Sequence, residues 1–113
     1  MLKTFFGPTP EALLLAEIRK RLTPLGFIES KGKTYPFLDF ARGDLLVRWI
    51  KDYKEQTYEL CIYVGTNSIE RLDGTFFESP KLLKNIHCPL SNKELNGIKD
   101  KILETLDDWL KTI

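Results

Sequence analysis

Residues that carry metal or nucleophilic chemistry are scarce in this chain, which has one histidine and two cysteines among 113 residues. One histidine and two separated cysteines are too few for a tetrahedral zinc site, so we expect no metal and no other cofactor. His87 and Cys88 are adjacent, and sequence neighbours do not normally point at one another, which disfavours a Cys–His pair. Cys61 could meet His87 only through the fold. Glycine-rich phosphate loops are also absent, because every glycine is isolated.

An excess of one charge is missing too. Seventeen basic and sixteen acidic residues give a net charge of +1. Nucleic-acid binders are usually visibly basic, so we expect no nucleic-acid partner. No apolar run reaches ~18 residues, and the first ten residues contain no signal-like apolar segment, so neither a membrane span nor export is expected. With only two cysteines and no disulfide implied, a reduced, cytoplasmic protein is the simpler interpretation.

The length and composition predict one folded domain over residues 1–113. Apolar residues make up 42% and charged residues 29%, an ordinary globular balance. A chain of this size buries one hydrophobic core without disulfides or structural metals.

Two amphipathic helices are predicted, one near each end of the sequence. Thr9 and Pro10 provide an N-cap and a first helical residue for a helix over residues 10–22. Ser91 and Glu94 form a capping box before the second helix. The apolar stripes contain Leu14, Ile18, Leu22 and Leu25 in the first helix, and Leu95, Ile98, Ile102, Leu106, Trp109 and Ile113 in the second.

The segment between these helices predicts an antiparallel meander. Residues 44–65 alternate in a hairpin that pairs Asp52 with Thr57 across a four-residue loop. A strand over 35–41 joins it through a turn that pairs Ala41 with Asp44, and residues 27–29 form a short strand before that. Residues 66–90 predict a small hairpin around Asp73–Gly74, then a short helix from Ser79 to about Ile86, ended by Pro89.

The predicted fold is therefore α+β, an antiparallel meander of four to six strands packed on one face by an N-terminal and a C-terminal helix. The face toward the helices contains Leu38, Phe40, Leu45, Val47, Trp49, Leu60, Ile62 and Val64.

The opposite side of the sheet, which we call the second face, is unusually rich in apolar and aromatic side chains for a solvated surface. It contains Tyr35, Phe37, Asp39, Leu46, Arg48, Ile50, Glu59, Cys61 and Tyr63. The predicted register places Arg48 opposite Phe37 and Cys61, with Asp39 and Glu59 at diagonal positions. Arginine and tyrosine often anchor protein interfaces, so the predicted partner-binding residues are Tyr35, Phe37, Asp39, Arg48, Ile50, Glu59 and Tyr63.

Other interpretations of the second face stay open at this stage. Residues 66–90 could cover it, or its aromatic residues could be ordinary cross-strand pairs around a surface salt bridge. A second copy of the chain could also cover it, giving a homodimer. Arg48, Asp39, Glu59, Cys61 and Tyr63 could instead line a cavity for a small anionic ligand or a minor enzyme activity.

The string RLTPLGFIESKGKTYPFLDFARGDLLVRW, followed by TYELCIYVG, resembles small bacterial α+β proteins, some of which are toxin-immunity proteins. This resemblance implies a small non-catalytic inhibitor that covers the active site or substrate groove of a toxin. Frataxin-like domains have a similar arrangement of helices around a meander, but their acidic first helix is missing here. The leading hypothesis is a cytoplasmic protein-binding module of the immunity type, with a toxin domain as its protein partner.

Overall fold

The part of the chain described by a computed structural model, residues 8–31, 37–65 and 81–113, forms two helices packed on a five-stranded antiparallel sheet. The sheet order is β1-β2-β3-β4-β5, so each described strand pairs with its neighbours in sequence, as predicted for a meander. The elements are α1 Pro10–Leu22, a 3-10 turn Thr23–Leu25, β1 Ile28–Lys31, β2 Phe37–Arg42, β3 Leu45–Asp52, β4 Thr57–Val64, β5 Lys81–Pro89 and α2 Asn92–Leu110.

Both helices begin where their caps predict. The Thr9 hydroxyl accepts a hydrogen bond from the Ala12 amide at 3.1 Å, and the Ser91 hydroxyl accepts one from the Glu94 amide at 3.3 Å. The Ser91 amide donates to the Pro89 carbonyl at 2.8 Å instead of to the Glu94 carboxylate. Only half of the predicted capping box therefore forms, and this half satisfies an amide of the first helical turn.

The β3–β4 register is confirmed, whereas the predicted β2–β3 register was wrong by two positions. Asp52 pairs with Thr57, but Arg42 pairs with Leu45, so that Phe40 lies opposite Val47 instead of Leu45. Gly43 adopts a φ of 59°, which glycine tolerates without steric cost and which allows a two-residue turn. Because side chains alternate with a period of two, the shift leaves every β2 residue on its predicted face.

The short helix predicted from Ser79 to Ile86 was wrong, because residues Lys81–Pro89 form the edge strand β5. Its register places Cys88 opposite Tyr58 and Ile86 opposite Leu60, which directs alternate side chains toward the core. Pairing with β4 satisfies backbone groups that a helix at this position would leave without partners along the β4 edge. The predicted hairpin around Asp73–Gly74 lies outside the described residues.

The core lies between the two helices and the predicted face of the sheet. Fully buried side chains come from both layers: Leu14, Ile18 and Leu22 of α1, Leu95, Ile102 and Leu106 of α2, and Phe40, Val47, Leu60 and Ile62 of the sheet. Trp49 and Trp109 are also buried. Leu38 and Leu45 are partly buried and pack against the border of the core. Leu25 and Ile113 were wrongly assigned to the apolar stripes, because both lie beyond the ends of their helices and are exposed.

Two neighbouring leucines of α1 provide a matched test of this core. Leu14 is 0% exposed and Leu13 is 42% exposed. We expect Leu14→Ala to lower the free energy of unfolding by about 2–5 kcal/mol, since it removes buried methyl groups and leaves a cavity. Leu13→Ala makes the same chemical change on the surface and should cost less than about 1 kcal/mol. Urea unfolding of both variants measures the difference, and equal losses would contradict the assigned face of α1.

Candidate functional site

An ion pair lies at the centre of the second face. The Nε–H of Arg48 donates to Oδ1 of Asp39 at 2.7 Å, and an N–H of Nη2 donates to Oδ2 at 2.8 Å. This parallel two-bond geometry fixes the guanidinium plane. Asp39 lies directly opposite Arg48 in the β2–β3 ladder, and Phe37 lies opposite Ile50. The predicted diagonal position of Asp39 was therefore wrong, as a consequence of the two-residue register shift.

The Arg48 guanidinium is held from a second direction by an aromatic ring. Its central carbon lies 4.4 Å from the centroid of the Phe37 ring, within the range of a cation–π contact. The side chains of Arg48 and Asp39 are 32% and 17% exposed. The hydrogen bonds that Arg48 donates to Asp39 raise the pKa of Arg48 above its usual value. Arg48 is thus a permanent cation with a fixed orientation.

Among the described residues Glu59 forms no ion pair with Arg48, and its carboxylate instead accepts a hydrogen bond from Asn85 of β5. The side-chain Nδ2 of Asn85 donates to Oε2 of Glu59 at 2.6 Å and lies 3.2 Å from the sulfur of Cys61. Asn85 is directly opposite Cys61 in the β4–β5 ladder. The sequence interpretation missed Asn85 because it assigned this segment to a helix. Only the pairing of β5 with β4, which sets Asn85 opposite Cys61, places Asn85 on the second face.

Burial keeps two side chains of β4, the thiol of Cys61 and the phenol of Tyr63, in their neutral forms. Cys61 is 3% exposed, and this burial is the main cause of its raised pKa, which a hydrogen bond with Tyr63 partly offsets. Burial, followed by the hydrogen bond with Cys61, raises the pKa of Tyr63 to about 12. A reactive cysteine needs a lowered pKa, because the thiolate is the nucleophile. Cys61 has the opposite environment and behaves as a packed thiol.

His87 and Cys88 lie on opposite sides of β5, as their adjacency suggested. His87 is opposite Glu59 and exposed, whereas Cys88 is opposite Tyr58 and buried in the core. Within the described ranges no hydrogen bond joins Cys61 to His87, and no group of three or more His, Cys, Asp or Glu residues is placed to hold a metal ion. These side chains therefore offer no assembled nucleophile–base pair.

An apolar row borders the ion pair on one side and crosses the whole sheet. Pairing across the five strands aligns Ile28, Ala41, Leu46, Tyr63 and Leu82. Ile28 is 71% exposed and Leu82 is 49% exposed, so the row ends in two solvent-facing apolar side chains. A bulge between Ile62 and Tyr63 shifts the β5 register beside Leu82. Sequence reasoning missed Ile28 and Leu82, although extending the β1–β2 alternation would have placed Ile28 there.

The remaining predicted binding residues have different outcomes. Ile50 and Tyr63 are half-buried on the second face. Tyr35 lies outside the described residues. Residues 81–89 extend the sheet and do not cover its second face, and residues 66–80 lie outside the described part of the chain. The structure therefore unites Phe37, Asp39 and Arg48 in one contact group, and Glu59 in another with Asn85 and Cys61.

No protein-family model matches this chain, and searches of curated proteins and of solved structures return no significant match. In the described ranges, neither helix combines the length and the apolar character that crossing a membrane requires.

The Arg48–Asp39 pair predicts strong coupling between two substitutions. Arg48→Met alone leaves a largely buried carboxylate without its cation, whereas Arg48→Met combined with Asp39→Asn removes both charges. We expect the double variant to be more stable than the sum of the single losses implies, by about 1–3 kcal/mol. Denaturant unfolding of the four proteins measures this coupling. Additive losses would show that the pair contributes no mutual stabilisation.

Tyr63 predicts a specific loss of stability at alkaline pH. Its pKa is raised from 10.0 to about 12, so the folded state holds the phenolic proton more tightly than the unfolded state. The resulting stabilisation is complete below pH 10 and is lost as the pH rises toward 12. Tyr63→Phe should therefore lose less unfolding free energy than the wild type across this window. Parallel slopes for the two proteins would contradict the assigned environment of Tyr63.

Proposed function

We propose that this chain is a protein-binding module that recognises its partner through the second face of the sheet. The observation that carries this proposal is the fixed Arg48 side chain, bound by two hydrogen bonds to Asp39 and stacked on Phe37. An anchor held in its binding conformation loses little rotamer entropy when a partner docks. Arginine and aromatic side chains are enriched among the residues that dominate interface energies.

The electrostatics of the site favour a protein partner over a small anion. Asp39 compensates the charge of Arg48, and Glu59 adds a further carboxylate on the same face. An anionic ligand would have to displace Asp39 or approach a region where carboxylates outnumber cations. A protein surface can instead pack against the Phe37 ring and the apolar row while donating hydrogen bonds to the carboxylates.

The apolar row supplies the contact area that a single arginine cannot provide. Ile28 and Leu82 expose apolar surface at the two ends of the row, and Tyr63 lies between them with a neutral phenol. A contact core of this kind, bordered by Asp39 and Arg48, with Glu59 beyond them, combines apolar contact area with polar groups as protein interfaces do.

The more specific form of the proposal is a cytoplasmic, non-catalytic inhibitor of the toxin-immunity type, which covers the active site or substrate groove of a toxin domain. Its support is the resemblance of residues 13–65 to such proteins and the fixed Arg48 anchor on a face whose Cys61 has the environment of a packed thiol. The raised pKa of Cys61 agrees with a role in packing at this face.

The binding proposal predicts that the second face can be disabled without unfolding the protein. Arg48→Met combined with Asp39→Asn leaves no unpaired charge, so we expect near-normal folding but at least a tenfold loss of partner binding, about 1.4 kcal/mol. Quantitative co-purification of tagged variants from the native host measures this loss. Lys20→Ala is the matched control, because its exposed side chain lies on α1 at the helical side of the sheet.

The identity of the retained protein then tests the immunity proposal. A toxin domain should arrest growth when expressed alone, and co-expression of this chain should restore growth. Rescue by wild type and Lys20→Ala, but not by the double variant, would support both steps. Undiminished partner retention by the double variant would exclude the Arg48 region as the binding surface. A partner without toxic activity would exclude the immunity role while leaving protein binding intact.

A further inference from the structure

Among the described residues, the strand β5 forms an edge of the sheet along nine residues, Lys81–Pro89. Typical strands are about five to six residues long, so this edge strand is longer than usual. The Leu90 amide donates to the Gln56 carbonyl at 2.8 Å. Because hydrogen-bonding directions alternate along an antiparallel ladder, the amides of Ile86 and Cys88 face β4, and those of Asn85 and His87 face away from it.

The charged residues of β5 are both lysines. Lys81 and Lys84 are exposed, and the strand contains no acidic residue. Neither lysine forms a salt bridge within the described part of the chain. This edge therefore concentrates positive charge in a protein whose net charge is only +1.

The strand at the opposite edge of the described sheet is shorter, and its acidic residue already has a cationic partner within the chain. Strand β1 has four residues, and its Glu29 forms a two-bond ion pair with Arg19 of α1 at 2.8 and 3.0 Å. Strand β5 is thus the better template for an added strand.

The lysines of β5 also determine which kind of strand could pair with this edge, a second copy of β5 or an acidic strand. Antiparallel pairing of two β5 strands would bring four lysines into one seam, and like charges close together on paired strands are destabilising. Lysine on an edge strand is a known device against unwanted pairing. The same side chains that oppose a second copy attract a strand that carries carboxylates.

We infer that the β5 edge binds an extended acidic segment of another protein, which adds as a sixth strand to the five described. Backbone hydrogen bonds to the outward-facing amides provide affinity, and Lys81 and Lys84 select carboxylates on the added strand. The exposed side chains of Leu82 and Leu83 offer apolar contacts beside them. This inference does not rest on the proposed function, since the edge is a surface separate from the Arg48 anchor.

A peptide titration tests the inference directly. The probe is a nine-residue peptide that alternates glutamate with valine, added to ¹⁵N-labelled protein, and the comparison peptide replaces each glutamate with lysine. We expect shifts in the amide signals of Asn85 and His87, at least tenfold slower exchange of these amides with solvent, and at least tenfold tighter binding of the acidic peptide. Binding should weaken as ionic strength rises.

Charge reversal supplies the matched control. Lys81→Glu combined with Lys84→Glu should invert the preference, so that the lysine peptide binds more tightly. The inference is overturned if the acidic peptide leaves the β5 amides unperturbed at about 1 mM, a concentration that detects even weak binding. It is also overturned if the perturbed signals lie elsewhere, or if sedimentation shows that two copies pair through β5. Peptide binding by the Arg48→Met, Asp39→Asn variant should match the wild type, which separates this test from that of the proposed function.

Discussion

The pairing of β3 with β4 is the constraint on which both faces of the sheet depend. Eight consecutive residue pairs, from Leu45–Val64 to Asp52–Thr57, fix which side chains meet the helices. Val47 and Trp49 join the core, while Arg48 is directed to the second face beside Cys61. A one-residue slip would exchange these two sets and would move the arginine away from Asp39 and into the apolar core, where burying a charge is costly.

Burial of apolar side chains attaches the two helices to the sheet, and polar contacts at the edges of the helices fix their orientation. Arg21 of α1 donates to Asp107 of α2 at 2.7 Å and to Glu17 within its own helix at 2.8 Å. Glu11 accepts a hydrogen bond from the Trp49 indole at 2.8 Å, which ties the first turn of α1 to β3. Exposed ion pairs contribute little net stability, so these contacts orient helices whose attachment comes from buried leucine and isoleucine side chains.

Features encoded locally could be predicted from the sequence, and features set by distant pairing could not. Thr9 and Ser91 predict the starts of the two helices, because a capping side chain bonds an amide within the first helical turn. The β3–β4 register follows from alternation in both strands and a loop of fixed length. Strand β5 was missed because KLLKNIHCP has no clear alternation of its own, and only pairing with β4 gives Ile86 and Cys88 their inward direction. The direct Arg48–Asp39 contact was missed because the two-residue turn lies at Gly43–Asp44 instead of Arg42–Gly43, with Gly43 at a positive φ, and this change moves the register by two positions.

The second face and the β5 edge meet at Asn85, whose side chain and backbone belong to different surfaces. Asn85 lies beside Cys61 and Glu59 through its side chain, while its backbone amide faces the open edge. Burial raises the pKa values of Cys61 and Tyr63, so neither becomes a nucleophile or an anion near neutral pH. The side chains of Arg48, Asp39 and Glu59 are held in place by hydrogen bonds. Fixed charges, neutral aromatic groups and a strand at the edge of the described sheet are features that suit the protein-binding role we propose, because such a surface can be matched in shape and by backbone hydrogen bonds.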